Sequence, residues 1–238
     1  MSMVNDAPEI VLLPGLDGTG DLFDRVTPHL AREFKVNVVR YPQDPTLGYA
    51  GYVELVRNQI GSRRVYVLGE SFSGPVAVLV ASQLRDQVRG IVLAATFIKN
   101  PWPQWFMRRA ARVDPRATPR NMRDALLMGP YSDPELRNKV EDIVRSLSRP
   151  VRAARFRAAA EVDVQKDFMR LECPVLALHG RSDWLVRKAP MQKAIGEKGR
   201  ARMIVFPAAH MLLQTRPAET ATEIIEFTRS SAEENYEA

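Results

Sequence analysis

A mainly parallel α/β sheet with helices on both faces and a helical insertion is the architecture this sequence predicts, on three observations. Short β-rich runs alternate with helical patterns. One run passes through a glycine into a serine and then into small residues. The alternation is suspended for about 70 residues before it resumes.

The first strand is the apolar run over residues 10–13. It is followed by the loop Pro14-Gly15-Leu16-Asp17-Gly18-Thr19-Gly20 and a helical pattern over 22–34. Further β-rich runs stand at 36–39, 65–68, 91–94, 175–178 and 203–206, with helical patterns between most of them. The alternation implies a largely parallel sheet covered on both faces. Between 97 and 171 the chain carries prolines at 101, 103, 115, 119, 130, 134 and 150, and the intervals between them look helical. Because this stretch opens after one strand and closes before the next, residues 1–98 and 172–238 are expected to form the core. Residues 99–171 are expected to form a helical cap inserted at the strand ends. The acidic tail, 233–238, is expected to fray.

Composition narrows the function classes. The chain has 238 residues, 45% hydrophobic and 26% charged, ordinary values for a domain with a large core. The single cysteine, Cys173, permits neither an internal disulfide nor a cysteine-rich metal cluster. The first nine residues lack the basic and apolar regions of a leader, and no apolar run reaches membrane-spanning length. A soluble, cytoplasmic protein is therefore expected. The net charge of +6 is concentrated in residues 99–172, where 16 Lys and Arg face 10 Asp and Glu. Arg145, Arg149, Arg152, Arg155 and Arg157 crowd its middle, either as solvated helix faces or as a landing surface for an anionic partner. No basic stripe interleaved with aromatics accompanies them, so nucleic acid is not expected.

The chemistry is carried by Val65-Tyr66-Val67-Leu68-Gly69-Glu70-Ser71-Phe72-Ser73-Gly74. A strand entering Gly-x-Ser-x-Ser-Gly and leaving as a small-residue helix is the context of a nucleophile elbow. Its tight turn requires small residues two before and two after the serine, here Gly69 and Ser73. A serine hydroxyl needs a base, and the chain has three histidines: His29 in the first helix, His179 at a strand end, and His210 in a loop after the last strand. His210 is the candidate base, because Ala208 and Ala209 leave it room to reach across the sheet top. A carboxylate must orient it. Asp183 follows the preceding strand and completes the chain order Ser, Asp, His; Asp163 and Asp167 are rivals by position alone. The backbone N–H groups of Leu16 and Phe72 are the candidate oxyanion donors.

Competing chemistries fit less well. The loop 15–20 has phosphate-loop glycine spacing, but Asp21-Leu22 follow where Lys and Ser or Thr are needed, and the glycine order is wrong for a dinucleotide fingerprint. The histidines are scattered, so no metal and no cofactor are expected. Trp102, Trp105, Phe106 and Met107 open the insertion as an apolar edge suited to an acyl or aromatic group, or as part of its core.

Together, Leu12-Leu13-Pro14-Gly15-Leu16-Asp17-Gly18-Thr19-Gly20, Gly69-Glu70-Ser71-Phe72-Ser73-Gly74, His179-Gly180-Arg181-Ser182-Asp183 and Ala208-Ala209-His210 resemble α/β-hydrolases of the capped esterase type over nearly the whole chain. Within that superfamily the C-terminal third most resembles the carboxylesterases that cleave the methyl ester of pimeloyl-acyl-carrier protein. The resemblance implies a Ser71, Asp183 and His210 triad hydrolysing short to medium acyl esters, with Leu16 and Phe72 beside the substrate and cap helices receiving the acyl chain. It also raises the expectation that the basic cap docks an acidic acyl-carrier protein. Two positions depart from the pattern: Pro14 replaces a histidine that often precedes the oxyanion glycine, and Ser73 replaces a glycine. C–C, lactone or perhydrolase chemistry on the same triad, or a non-enzymatic binding protein, would use the same scaffold.

Overall fold

The computed structural model describes residues 7–110, 112 and 118–234. Among the described residues six strands form one sheet in the order β2-β1-β3-β4-β5-β6, every pair parallel. They are β1 (Glu9–Leu13), β2 (Lys35–Val38), β3 (Val65–Glu70), β4 (Val88–Ala94), β5 (Val175–Gly180) and β6 (Ala201–Phe206). All six coincide with β-rich runs of the sequence. β1, β3 and β5 are buried along their whole length, which is why they read as unbroken apolar runs rather than alternating ones. The edge strands β2 and β6 are only partly covered.

The helices of the core are α1 (Thr27–Leu30), α2 (Tyr49–Ile60), α3 (Gly74–Gln83), α9 (Lys188–Gly196), α10 (Leu212–Thr215) and α11 (Pro217–Glu234). α3 is apolar nearly all round and lies in the interior, whereas α2 turns only Tyr52, Val53, Val56 and Ile60 inward. One apolar cluster lies on each face of the sheet, around Val11, Val67 and Leu93 on one side and Leu12, Leu68 and Val92 on the other.

Among the described residues five α-helices lie between β4 and β5: α4 (Gln104–Ala110), α5 (Arg120–Leu127), α6 (Pro134–Ser146), α7 (Arg149–Glu161) and α8 (Gln165–Met169). α6 begins where the Asp133 side chain accepts from Leu136 N at 2.9 Å, with Pro134 in its first turn, and buries Leu136, Val140 and Ile143 at helical spacing. At the neck of the insertion Lys99 bridges to Asp163, with an ion pair of 2.9 Å. α8 returns to the core, its Phe168 fully buried. Pro115, residues 1–6 and the tail residues 235–238 lie outside the described residues.

The strand order creates the site. β1 pairs with β2 on one side and β3 on the other, so the chain reverses direction across the sheet at β1/β3 and the loops leaving their carboxyl ends face each other. Leu13 is registered with Gly69, which sets the loop after β1 beside Ser71.

Candidate active site

Ser71 leaves β3 with φ +49°, a left-handed conformation that L-residues adopt only when their surroundings enforce it. Two glycines give the turn room to pack. A Cβ on Gly69 would stand 2.5 Å from Ser73 O, and one on Gly74 would stand 2.1 Å from Thr96 Oγ1. The second tight position of the elbow is thus Gly74, one residue later than the sequence reading places it. Ser73 is tolerated because its hydroxyl has partners: it donates to Pro14 O and accepts from Tyr41 OH at 2.7 Å. Thr96 Oγ1 donates to Ser71 O.

His210 Nε2 is 2.9 Å from Ser71 Oγ, and His210 Nδ1 is 2.8 Å from Asp183 Oδ2. A carboxylate only accepts, so Nδ1 carries the proton and Nε2 is left as the acceptor for the serine hydroxyl. The other carboxylate oxygen, Asp183 Oδ1, accepts from Leu185 N and Val186 N, both at 2.9 Å. Burial alone would raise the Asp183 pKa, but the charge and hydrogen bond of His210 outweigh it and hold the carboxyl below its usual range. Burial likewise opposes charge on His210, yet Asp183 raises its pKa above the ordinary value. The two loops meet because Gly180 has no side chain; a Cβ there would lie 2.1 Å from Ala209 O. His179 is fully buried on β5, and burial lowers its pKa.

The loop after β1 makes a turn closed by Gly18 N donating to Gly15 O at 3.1 Å. The left-handed residues of this loop are Gly18, φ +72°, and Gly20, φ +75°, while an added Cβ on Gly15 would find only ordinary contacts. Leu16, half-buried, occupies the corner, and its N–H has no acceptor among the described residues. Phe72 lies in the first turn after Ser71, where N–H groups lack helical partners. Its ring is stacked on Tyr49 at 4.9 Å, and the residue is 2% exposed.

Glu70, beside the serine, is a titratable neighbour that the sequence reading passed over. Burial pushes its carboxyl up to about 7, against the 2.9 Å hydrogen bond from Gln214 Nε2. Asp163 pairs with Lys99 at the neck, away from His210. Trp102 stacks with Phe106 at 5.1 Å and donates to Leu185 O at 2.8 Å, tying α4 to the Asp183 loop, while Trp105 and Trp184 are 70% and 72% exposed. A cavity of about 180 Å³ adjoins Thr96, Phe97, Asn100, Arg187 and Met191.

The arginines of the basic segment divide into buried and exposed ones. Arg152 and Arg155 are buried, at 3% and 0% exposure. Arg123, Arg145 and Lys139 are paired with Glu141, Glu141 and Asp24. Part of the charge in this segment is therefore buried or paired, while Arg145, Arg149 and Arg157 stay at the surface. Among the described residues no group of three or more His, Cys, Asp and Glu could hold a metal ion, and no helix is long and apolar enough to cross a membrane.

Comparison with solved structures shows the same architecture at low identity. The enol-lactonase of Burkholderia xenovorans superposes with a TM-score of 0.82 at 17% identity, covering 95% of this chain and 93% of that one. An esterase of Thermogutta terrifontis gives 0.78 at 21%, covering 94% and 90%. Among curated proteins, the chloroplastic phytyl ester synthase 1 of Arabidopsis thaliana is 33% identical over 111 residues, 41% of this chain but only 15% of that protein's length. A model of the alpha/beta hydrolase family matches residues 10–223, and the chain belongs to that family.

Proposed function

We propose that the protein is a cofactor-free serine esterase. The observation that carries the reading is the continuous relay from Asp183 through His210 to a serine held at φ +49° on a strand-to-helix turn. In this scheme His210 Nε2 takes the Ser71 proton as Oγ attacks the ester carbonyl. The tetrahedral oxyanion accepts from the N–H groups of Leu16 and Phe72. His210 then gives its proton to the departing alcohol, leaving an acyl-enzyme that water, activated by the same imidazole, hydrolyses to the carboxylic acid. Asp183 holds the tautomer and stabilises the transient imidazolium. The helices of residues 99–171 act as a cap that receives a short to medium acyl chain, as in the pimeloyl-acyl-carrier-protein methyl ester esterases. An acyl group on an acidic carrier protein would meet Arg145, Arg149 and Arg157, the arginines of the central cluster that reach the surface. A cytoplasmic location goes with such a substrate.

A second reading has one observation behind it. The local identity to a phytyl ester synthase favours passing the acyl group to an alcohol in place of water. Hydrolysis of p-nitrophenyl esters from C2 to C12 by wild type and Ser71→Ala, with and without a long-chain alcohol, tests both. Turnover lost in Ser71→Ala supports the esterase, new alkyl ester supports transfer, and turnover unchanged in Ser71→Ala overturns both.

A further inference from the structure

We propose that Arg155, carried by the insertion, is the positioning residue of the oxyanion loop; the proposal rests on the serine-esterase reading above. Arg155 lies on α7, far along the chain from the loop, and is fully buried. Its Nη1 donates to Leu16 O and to Asp17 O, both at 2.8 Å. Nη2 donates to Pro42 O at 3.0 Å and Nε to Tyr52 OH at 3.0 Å. Four of the five guanidinium N–H groups are thereby used, and the cation also lies 5.7 Å from the Tyr52 ring centre.

The two carbonyls it holds belong to the corner residues of the turn that presents Leu16 N–H. On the other side of that peptide, Pro14 O is held by Ser73 of the elbow, and Gly15 O accepts from Gly18 N. The Leu16 N–H is thus clamped between the elbow and the insertion. Gly18 completes the fit, since a Cβ there would lie 2.5 Å from Arg155 Nη1. The planar fork is what the site demands: a lysine ammonium is a single point of charge and cannot address carbonyls on two segments together with a phenol oxygen. The insertion therefore contributes to the chemistry through the backbone, and its seating on the core sets where the oxyanion donor points.

The test compares wild type, Arg155→Lys, Arg155→Met and Tyr52→Phe with a p-nitrophenyl ester. It adds the affinities of a trifluoromethyl ketone, which forms a tetrahedral adduct, and of the product carboxylate, which does not. Melting curves and near-UV circular dichroism report folding. Arg155→Lys is expected to fold and to lose about 10²-fold in kcat with KM changed less than about threefold. Ketone affinity should fall in parallel and carboxylate affinity should hold. Tyr52→Phe, which spares both loop carbonyls, is expected to retain most of kcat. Should Arg155→Met fail to fold, Arg155→Lys decides. A lowered melting temperature with unchanged kcat and ketone affinity would make Arg155 merely structural and overturn the proposal. If the wild type itself neither turns over the ester nor binds the ketone, the esterase reading fails first, an outcome distinguishable from an active wild type with an equally active Arg155→Lys.

Discussion

Gly69→Ala tests how the elbow is held. The added Cβ would lie 2.5 Å from Ser73 O, 2.9 Å from Ser73 C and 3.0 Å from Ala77 Cβ, whereas ordinary contact begins at 3.4 Å. The nearest obstruction is backbone, so the strand and the turn carrying Ser71 must separate by nearly 1 Å. Overpacking of this kind costs about 1–3 kcal/mol, and a displacement of that size at a nucleophile costs about 10²-fold in kcat. Urea unfolding and ester hydrolysis measure the two effects. Gly74→Ala is the informative partner, because its obstruction is the Thr96 side chain, at 2.1, 2.5 and 2.8 Å. Thr96→Gly should therefore rescue packing in Gly74→Ala and do nothing for Gly69→Ala. Gly69→Ala unfolding within about 0.5 kcal/mol of wild type, with kcat within about threefold, would refute the steric account.

Other expected outcomes follow from the site's charges and from the neck of the insertion. In the proposed esterase mechanism the active form of His210 is neutral, so kcat/KM should fall as pH drops through its raised pKa; Asp183→Asn should shift that limb to lower pH and reduce kcat about 10⁴-fold, read from a pH–rate profile. Glu70 prefers its protonated form in the folded state. The protein should lose stability as pH rises from 4.5 towards about 7, by an amount on the order of 3 kcal/mol. Glu70→Gln should then melt higher than wild type at pH 8 and equally at pH 4; equal melting at both would contradict the burial argument. Asp163→Ala removes a half-exposed pair with Lys99 and an exposed hydrogen bond from Gln165 N, so it should cost about 1 kcal/mol and leave kcat unchanged, separating it from Asp183.

The strands were legible because a sheet buried on both faces writes itself as continuous apolar runs, as residues 65–68 and 175–178 do. Ser71, Asp183 and His210 were legible because each follows such a run, and the structure brings them within hydrogen-bonding distance. What could not be read was burial of charge. Arg155 looks like one more surface arginine in a basic helix, and only the meeting of α7 with the loop after β1 shows its carbonyl partners. The pair Gly180 and Ala209 depends on two loops from different strands touching, and the shift of the tight position from Ser73 to Gly74 depends on Thr96, which no local spacing announces. Glu70 was passed over because its neighbour Gln214 lies 144 positions away.

Whether Ser71 is a nucleophile is tested by treating the folded protein with a fluorophosphonate at neutral pH and mapping the modified peptide by mass spectrometry. One stoichiometric adduct on Ser71 is expected, formed slowly or not at all in His210→Ala. Absence of any adduct on the wild type, or an adduct on another serine with Ser71 unmodified, would contradict that expectation.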